Sequence, residues 1–136
     1  MDMKSELNIF LVDDDPSSLA LYEMHLKSLG YQNVWKFENG MDCISSLSLR
    51  PDVVFLDYRM PVMDGVEVLK IIKQRDPNIY VVFVTGDTDM KTAATSLKYG
   101  AFDFIQKGSN CTERIEGALN RIIDVKAVKA KKFVRA

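Results

Sequence analysis

Five short apolar runs punctuate the chain, at residues 8–12, 34–37, 53–57, 80–84 and 102–106. Each is continuous rather than alternating, the pattern of a strand covered on both faces in a parallel sheet. Between them apolar residues recur at helical spacing. Leu19, Tyr22, Leu26 and Leu29 define a first helix, which Asp15 caps, Pro16 opens and Gly30 stops. The same reasoning predicts a second helix over about 40–49 and a third with Val66, Leu69 and Ile72 on one side. A fourth runs over about 89–99 with Ala93, Ala94 and Leu97. A fifth starts near Thr112 and turns Ile115, Leu119 and Ile122 inward. Five strands alternating with five helices imply an α/β fold, a right-handed, doubly wound (βα)5 sandwich around a parallel sheet.

In such a sheet ligands lie beyond the carboxyl ends of the strands. The polar residues at those ends are Asp13 and Asp14 after the first strand, Asp57 at the third, Thr85 at the fourth and Lys107 after the fifth. Singly, each has an ordinary structural explanation. An aspartate pair after a strand is often a solvated loop, a strand-end aspartate often begins a turn, and a lone threonine or lysine is common surface chemistry. Together they place three carboxylates, one hydroxyl and one ammonium at one sheet edge. Carboxylates that close repel unless a cation sits among them, and an all-oxygen set favours a hard ion such as Mg²⁺, with Mn²⁺ as an alternative. Metal, hydroxyl and ammonium around one carboxylate form a phosphoryl-transfer set.

Composition narrows the rest. At 136 residues with 47% hydrophobic content, the chain suits one compact domain. Its 18 basic and 19 acidic residues nearly cancel, so no global charge draws it to nucleic acid or an anionic membrane. No apolar run approaches the roughly 20 residues of a membrane span, and the expectation is a cytoplasmic protein without membrane contact. Cys43 and Cys111 form no CxxC pair and are expected as free thiols. His25 lies mid-helix, away from any ligand pattern, and is expected at the surface.

The segments Leu11-Val12-Asp13-Asp14-Asp15-Pro16, Val54-Phe55-Leu56-Asp57-Tyr58-Arg59-Met60-Pro61, Met63-Asp64-Gly65, Val84-Thr85-Gly86, Tyr99-Gly100-Ala101 and Lys107 occur in this order. In this the chain resembles the receiver domains of two-component response regulators, such as the chemotaxis response regulator, from about residue 7 to 123. The resemblance implies a flavodoxin-like sheet of strand order 2-1-3-4-5. It implies that Asp57 accepts a phosphoryl group from a phosphohistidine on a sensor histidine kinase or phosphotransfer protein, or from a small phosphodonor. By the same resemblance Asp14 and Asp57 bind Mg²⁺ directly, the backbone carbonyl of Arg59 is a third protein ligand, and Asp13 acts mainly through a water. Lys107 and Thr85 would contact phosphoryl oxygens, and Phe104 would turn inward as Thr85 moves. That switch would reshape the surface of the fourth helix, fifth strand and fifth helix, the expected face for a homodimer or partner. The chain is then a signalling phosphoacceptor and no turnover enzyme.

Three features depart from the family pattern. Gly108 replaces the usual proline after the lysine, which loosens the backbone there. Arg59 and Asp87 lie where side chains screen the phosphoryl group, and a pairing between them would prolong the phosphorylated state. Gly117 stands where winged-helix regulators usually carry an arginine. The residues divide into a receiver, 1–124, and a basic extension or linker, 125–136. From Thr112 onward seven Lys or Arg face three acids, which reads as a solvated linker helix leading to an output domain absent from this chain; nucleic acid would be reached only through that domain. Three other readings compete. A dehalogenase-type phosphatase would need an acid where Arg59 stands, and a flavin carrier would need a glycine- or hydroxyl-rich first loop. A pseudo-receiver would lack part of the pocket.

Overall fold

The computed structural model describes residues 3–86 and 90–135. A single helical turn, Met3–Glu6, precedes five βα units. The strands are β1 (Asn8–Val12), β2 (Asn33–Phe37), β3 (Val53–Leu56), β4 (Tyr80–Thr85) and β5 (Asp103–Gln106). The helices are α1 (Pro16–Ser28), α2 (Gly40–Ser45), α3 (Gly65–Arg75), α4 (Met90–Lys98) and α5 (Cys111–Arg135). All strand pairs are parallel and the sheet order is β2-β1-β3-β4-β5, as the resemblance implied. Within the described residues no helix is long and apolar enough to cross a membrane.

Because side chains of a strand alternate between faces, each buried run feeds two cores. Ile9, Leu11, Phe55, Val82, Val84 and Ile105 pack beneath α1 and α5. Phe10, Val12, Leu56, Val81 and Phe83 pack beneath α2 and α3. The helix starts follow from short-range chemistry. Asp15 accepts the Ser17 amide at 3.0 Å, Asn39 accepts the Asp42 amide at 2.8 Å, and Asp64 accepts the Glu67 amide at 3.0 Å. Gly30 ends the first unit at φ +102°, a conformation only glycine adopts without strain.

Several elements differ from the periodicity reading. α2 stops at Ser45 and gives way to a 3₁₀ turn, Leu47–Leu49, instead of running to residue 49. Consecutive serines compete for backbone hydrogen bonds. Pro51 also bars ordinary helical geometry at Arg50, which takes φ 57°. On α3 the buried face is Val68, Leu69 and Ile72, with Val66 only half-buried; the 3.6-residue period selects 65, 68, 69 and 72, not every third position. Among the described side chains of α4, Thr92 and Ser96 are buried and Leu97 is exposed. The Ser96 hydroxyl donates to the Thr92 carbonyl at 2.8 Å, which lets a polar residue sit inside. Asp89, the expected start of this helix, lies outside the described residues. His25 is half-buried rather than at the surface, and among the described residues its Nε2 is buried without a hydrogen-bond partner.

α5 begins one residue before Thr112, and Ile115, Leu119 and Ile122 are buried as expected. Its basic end is not simply solvated. The Lys126 ammonium pairs with Asp52 at 3.0 Å, just before β3. Lys126 and Lys129 both lie over the Tyr80 ring, 5.9 and 5.6 Å from its centroid, at the start of β4. The helix therefore grips the amino edge of the sheet, opposite the strand ends that carry the polar residues.

Gly65 is set by close approach. A Cβ there would lie 2.6 Å from the Asp57 carbonyl oxygen and 2.6 Å from the Phe83 ring. Gly65→Ala is expected to cost about 1–3 kcal/mol through this overpacking. A denaturant midpoint equal to that of the unaltered protein would contradict it.

Candidate phosphoryl-transfer site

The sheet ladder continues one rung past the strands and fixes the backbone of each polar residue. The Asp13 amide donates to Phe37 O at 3.0 Å, the Asp57 amide to Val12 O at 2.9 Å, and the Lys107 amide to Thr85 O at 2.8 Å. Parallel strands end together, so this hydrogen bonding brings side chains 94 residues apart to one cleft, as the strand-end reading required. Asp13, Asp14 and Asp57 each place a carboxylate oxygen within 4.8 Å of the others. Asp13 and Thr85 are buried, Asp57 is 6% exposed at the floor, and Asp14 stands at the solvent edge.

The ammonium of Lys107 lies 2.8 Å from Asp13 Oδ2 and 3.6 Å from Asp57 Oδ2. The other Asp13 oxygen accepts the Asp15 amide at 2.9 Å. Both oxygens of Asp13 are thus engaged, while among the described residues Asp14 has no ion pair or side-chain hydrogen bond. Burial and then the Asp13 charge push the Asp57 carboxyl up to about 6, with Asp14 adding to the rise; Lys107 and a hydrogen bond from Thr85 work the other way. Burial opposes the charge on Lys107, yet its hydrogen bond to Asp13 and the charges of Asp57 and Asp13 hold it above the usual lysine value.

Three carboxylates and one ammonium leave two negative charges uncompensated, and every candidate ligand atom is a hard oxygen. That donor set fits a divalent cation of the Mg²⁺ type. Arg59 is exposed, with its guanidinium carbon 5.8 Å from the Tyr58 ring centroid; Asp87, its expected partner, lies outside the described residues. Phe104 is half-buried, its ring centroid 6.4 Å from that of Phe83.

Two features of the cleft escape a reading of motifs. One is the distance requirement at Gly65, for which the Asp64-Gly65 pair before an apolar helix was the available signal. The other is the anchoring of the loop after Lys107. Gly108 has open space around it and no peptide in the described chain is cis. The next fixed point is Cys111, whose amide bonds Gly108 O at 3.1 Å and whose buried thiol lies 3.9 Å from the Tyr22 hydroxyl on α1. No sequence pattern announced this anchoring.

The cleft and the sheet that carries it define a class, and comparison with known proteins agrees. The family model described as "Response regulator receiver domain" matches residues 9–119. The DNA-binding transcriptional regulator NtrC of Escherichia coli K12 is 37% identical over 108 residues, covering 79% of this chain and 23% of NtrC. The tetrathionate response regulatory protein TtrR of Salmonella typhimurium is 38% identical over 118 residues, 86% of this chain and 56% of TtrR. Among solved structures, the signal receiver domain of a LuxO repressor protein from Vibrio parahaemolyticus superposes with a TM-score of 0.82 at 27% identity, covering 96% of this chain and 98% of that one. The chain belongs to the response regulator receiver domain family of two-component signalling, whose standard function is to accept a phosphoryl group. It spans about a quarter of the length of the NtrC relatives it matches.

The Asp57 shift sets a pH dependence. A carboxyl raised from 3.8 to about 6 binds its proton more tightly in the fold than in the unfolded chain. Its contribution to stability is therefore lost as pH rises from about 4 through about 6. In chelator, Asp57→Asn is expected to be the more stable protein at pH 7 by roughly 3 kcal/mol, the worth of that rise. The difference should close below pH 4; equal urea midpoints at pH 7 would refute it.

Proposed function

We propose that Asp57 is the phosphoacceptor of this receiver and that its donor is a sensor histidine kinase or a phosphotransfer protein. The observation that carries the reading is the convergence of Asp13, Asp14, Asp57, Thr85 and Lys107 in one cleft. An Asp57 carboxylate oxygen attacks the phosphorus of a phosphohistidine; the new O–P bond forms as the P–N bond breaks, and the imidazole nitrogen keeps the bonding pair. The ammonium of Lys107 and the hydroxyl of Thr85 face the oxygens of the transferred group and stabilise their charge. Asp14, Asp57 and the Arg59 backbone carbonyl would hold Mg²⁺ or Mn²⁺, with Asp13 acting through a water. That ion neutralises phosphoryl oxygen charge when bound.

Thr85 and Phe104 form the switch. The Thr85 hydroxyl bonds Asp57 in the present state. Its shift toward an attached phosphoryl group frees space toward β5, where the half-buried Phe104 ring can follow. The face that changes is α4, β5 and α5, the surface for a homodimer or target protein. Leu97 and Tyr99 are exposed at α4 and its end, in keeping with this. We divide the chain into the receiver, 1–124, and a basic carboxy-terminal extension, 125–136. The family match ends at residue 119. The names of relatives such as NtrC support a transcriptional output, with nucleic acid contacted by a separate domain.

Incubation with Mg²⁺ and acetyl phosphate is expected to add about 80 Da by intact mass, and the adduct should vanish in Asp57→Ala. Lys107→Ala is expected to slow adduct formation without abolishing Mg²⁺ binding. Mg²⁺ binding with no adduct from any donor would instead favour a domain used only for protein contacts.

A further inference from the structure

The two cysteines differ in their surroundings. Cys43 is buried among apolar side chains, and burial alone pushes its thiol up to about 12. Cys111, the first residue of α5, is buried too, but its thiol donates to the Tyr22 hydroxyl at 3.9 Å, 89 residues away in sequence. A thiol is a weak donor, and replacing both groups by apolar ones of the same shape would cost the fold little. The value of the pair lies in where it stands, at the far end of the loop that begins with Lys107.

Lys107 is held at two points. Its amide donates to Thr85 O at 2.8 Å, and its ammonium lies 2.8 Å from Asp13. Gly108, Ser109 and Asn110, which follow, are exposed, and a side chain at 108 would meet open space. This stretch therefore takes its position from what lies beyond it. The chain is fixed again at Cys111, whose amide bonds Gly108 O at 3.1 Å and whose thiol is tied to α1 through Tyr22. Tyr22 and Asp13 share the wall of one small cavity beside Leu19 and Val84. Burial, then the Cys111 thiol and the Asp13 charge, push the Tyr22 hydroxyl above the usual tyrosine range. The contacts close a ring: from the Lys107 ammonium to Asp13, past Tyr22 to Cys111, and along the loop back to Lys107.

We infer that Tyr22 and Cys111 are positioning residues for Lys107, fixing the backbone base of the lysine so that its ammonium meets the phosphoryl group on Asp57. This rests on the phosphoacceptor reading of Asp57. Both side chains act through Lys107 and leave the reacting atoms untouched. The ammonium sits 2.8 Å from Asp13 and 3.6 Å from Asp57, and it must turn from the first toward a group on the second. A long side chain delivers its charge accurately only from a backbone that stays in place. Without the Tyr22 to Cys111 contact, the exposed loop lets the base of Lys107 drift.

The test uses the whole chain with Mg²⁺ and acetyl phosphate, intact mass being followed against time. Tyr22→Phe removes one oxygen and keeps the ring in the core; Cys111→Ala removes the thiol. Each is expected to slow adduct formation about fivefold, with half-saturation by Mg²⁺ unchanged. Combined, they should cost no more than one alone, since a single contact is lost. In Lys107→Ala, followed for hours at high acetyl phosphate, neither should slow the reaction further. That readout separates positioning from a general loosening of the core, which would slow Lys107→Ala as well. Unchanged rates in both single variants would overturn the inference, as would a fivefold loss on top of Lys107→Ala or a weakened Mg²⁺ site. Should Cys111→Ala fail to fold, the near-isosteric Tyr22→Phe decides the matter by the same readouts. Failure of the phosphoacceptor reading itself looks different: the unaltered protein would gain no mass from acetyl phosphate.

Discussion

Three carboxylates within 4.8 Å of one another are an arrangement that a folded chain normally avoids, and the architecture is organised around sustaining it. Burial, and then repulsion from Asp13, raise the proton affinity of Asp57. A single ammonium offsets part of this. Lys107 reaches Asp13 at hydrogen-bond distance and Asp57 at longer range, so the protein's own cation is shared and cannot neutralise the cluster. The remaining negative charge, on oxygen donors alone, is what fits the cluster to a divalent ion.

The sheet supplies the force that holds the carboxylates together. β1, β3, β4 and β5 are pinned in register by continuous ladders, and the apolar residues on both faces make sliding costly, since a one-residue slip would exchange the two cores. The extra hydrogen bonds at Asp13, Asp57 and Lys107 then fix side chains whose own interactions are unfavourable. α3 contributes through proximity. With only hydrogen at Gly65, its first turn closes against the backbone of Asp57 and the ring of Phe83. The same Phe83 ring neighbours Phe104, which joins the floor of the cleft to β5 through aromatic packing.

Much of this was legible in the sequence, because the strands are continuous apolar runs and the site residues follow them directly. Asp13, Asp57, Thr85 and Lys107 could be assigned to one edge without coordinates, since parallel strands converge by construction. The misplaced details are those governed by hydroxyls and by tertiary contact. Apolar spacing marked Ala93, Ala94 and Leu97 along α4, whereas it is Ser96 that goes in, by satisfying its hydroxyl within the helix. A charge count made the end of α5 a solvated linker; Lys129 and Lys131 are exposed, and Lys126 also reaches Asp52 across 74 residues, a pairing no local pattern encodes.

The seating of α4 has a mechanical consequence. α1, α3 and α5 are each held to the sheet by three or more large buried side chains, whose removal from packing would cost several kcal/mol in total. Among its described side chains, α4 buries Thr92 and Ser96, which carry little apolar surface. Lifting or rotating it forfeits correspondingly little hydrophobic free energy, and the Ser96 hydroxyl takes its hydrogen-bond partner with it because that partner lies in the same helix. Among the described side chains, α4 is thus the helix least tied to the sheet by apolar packing.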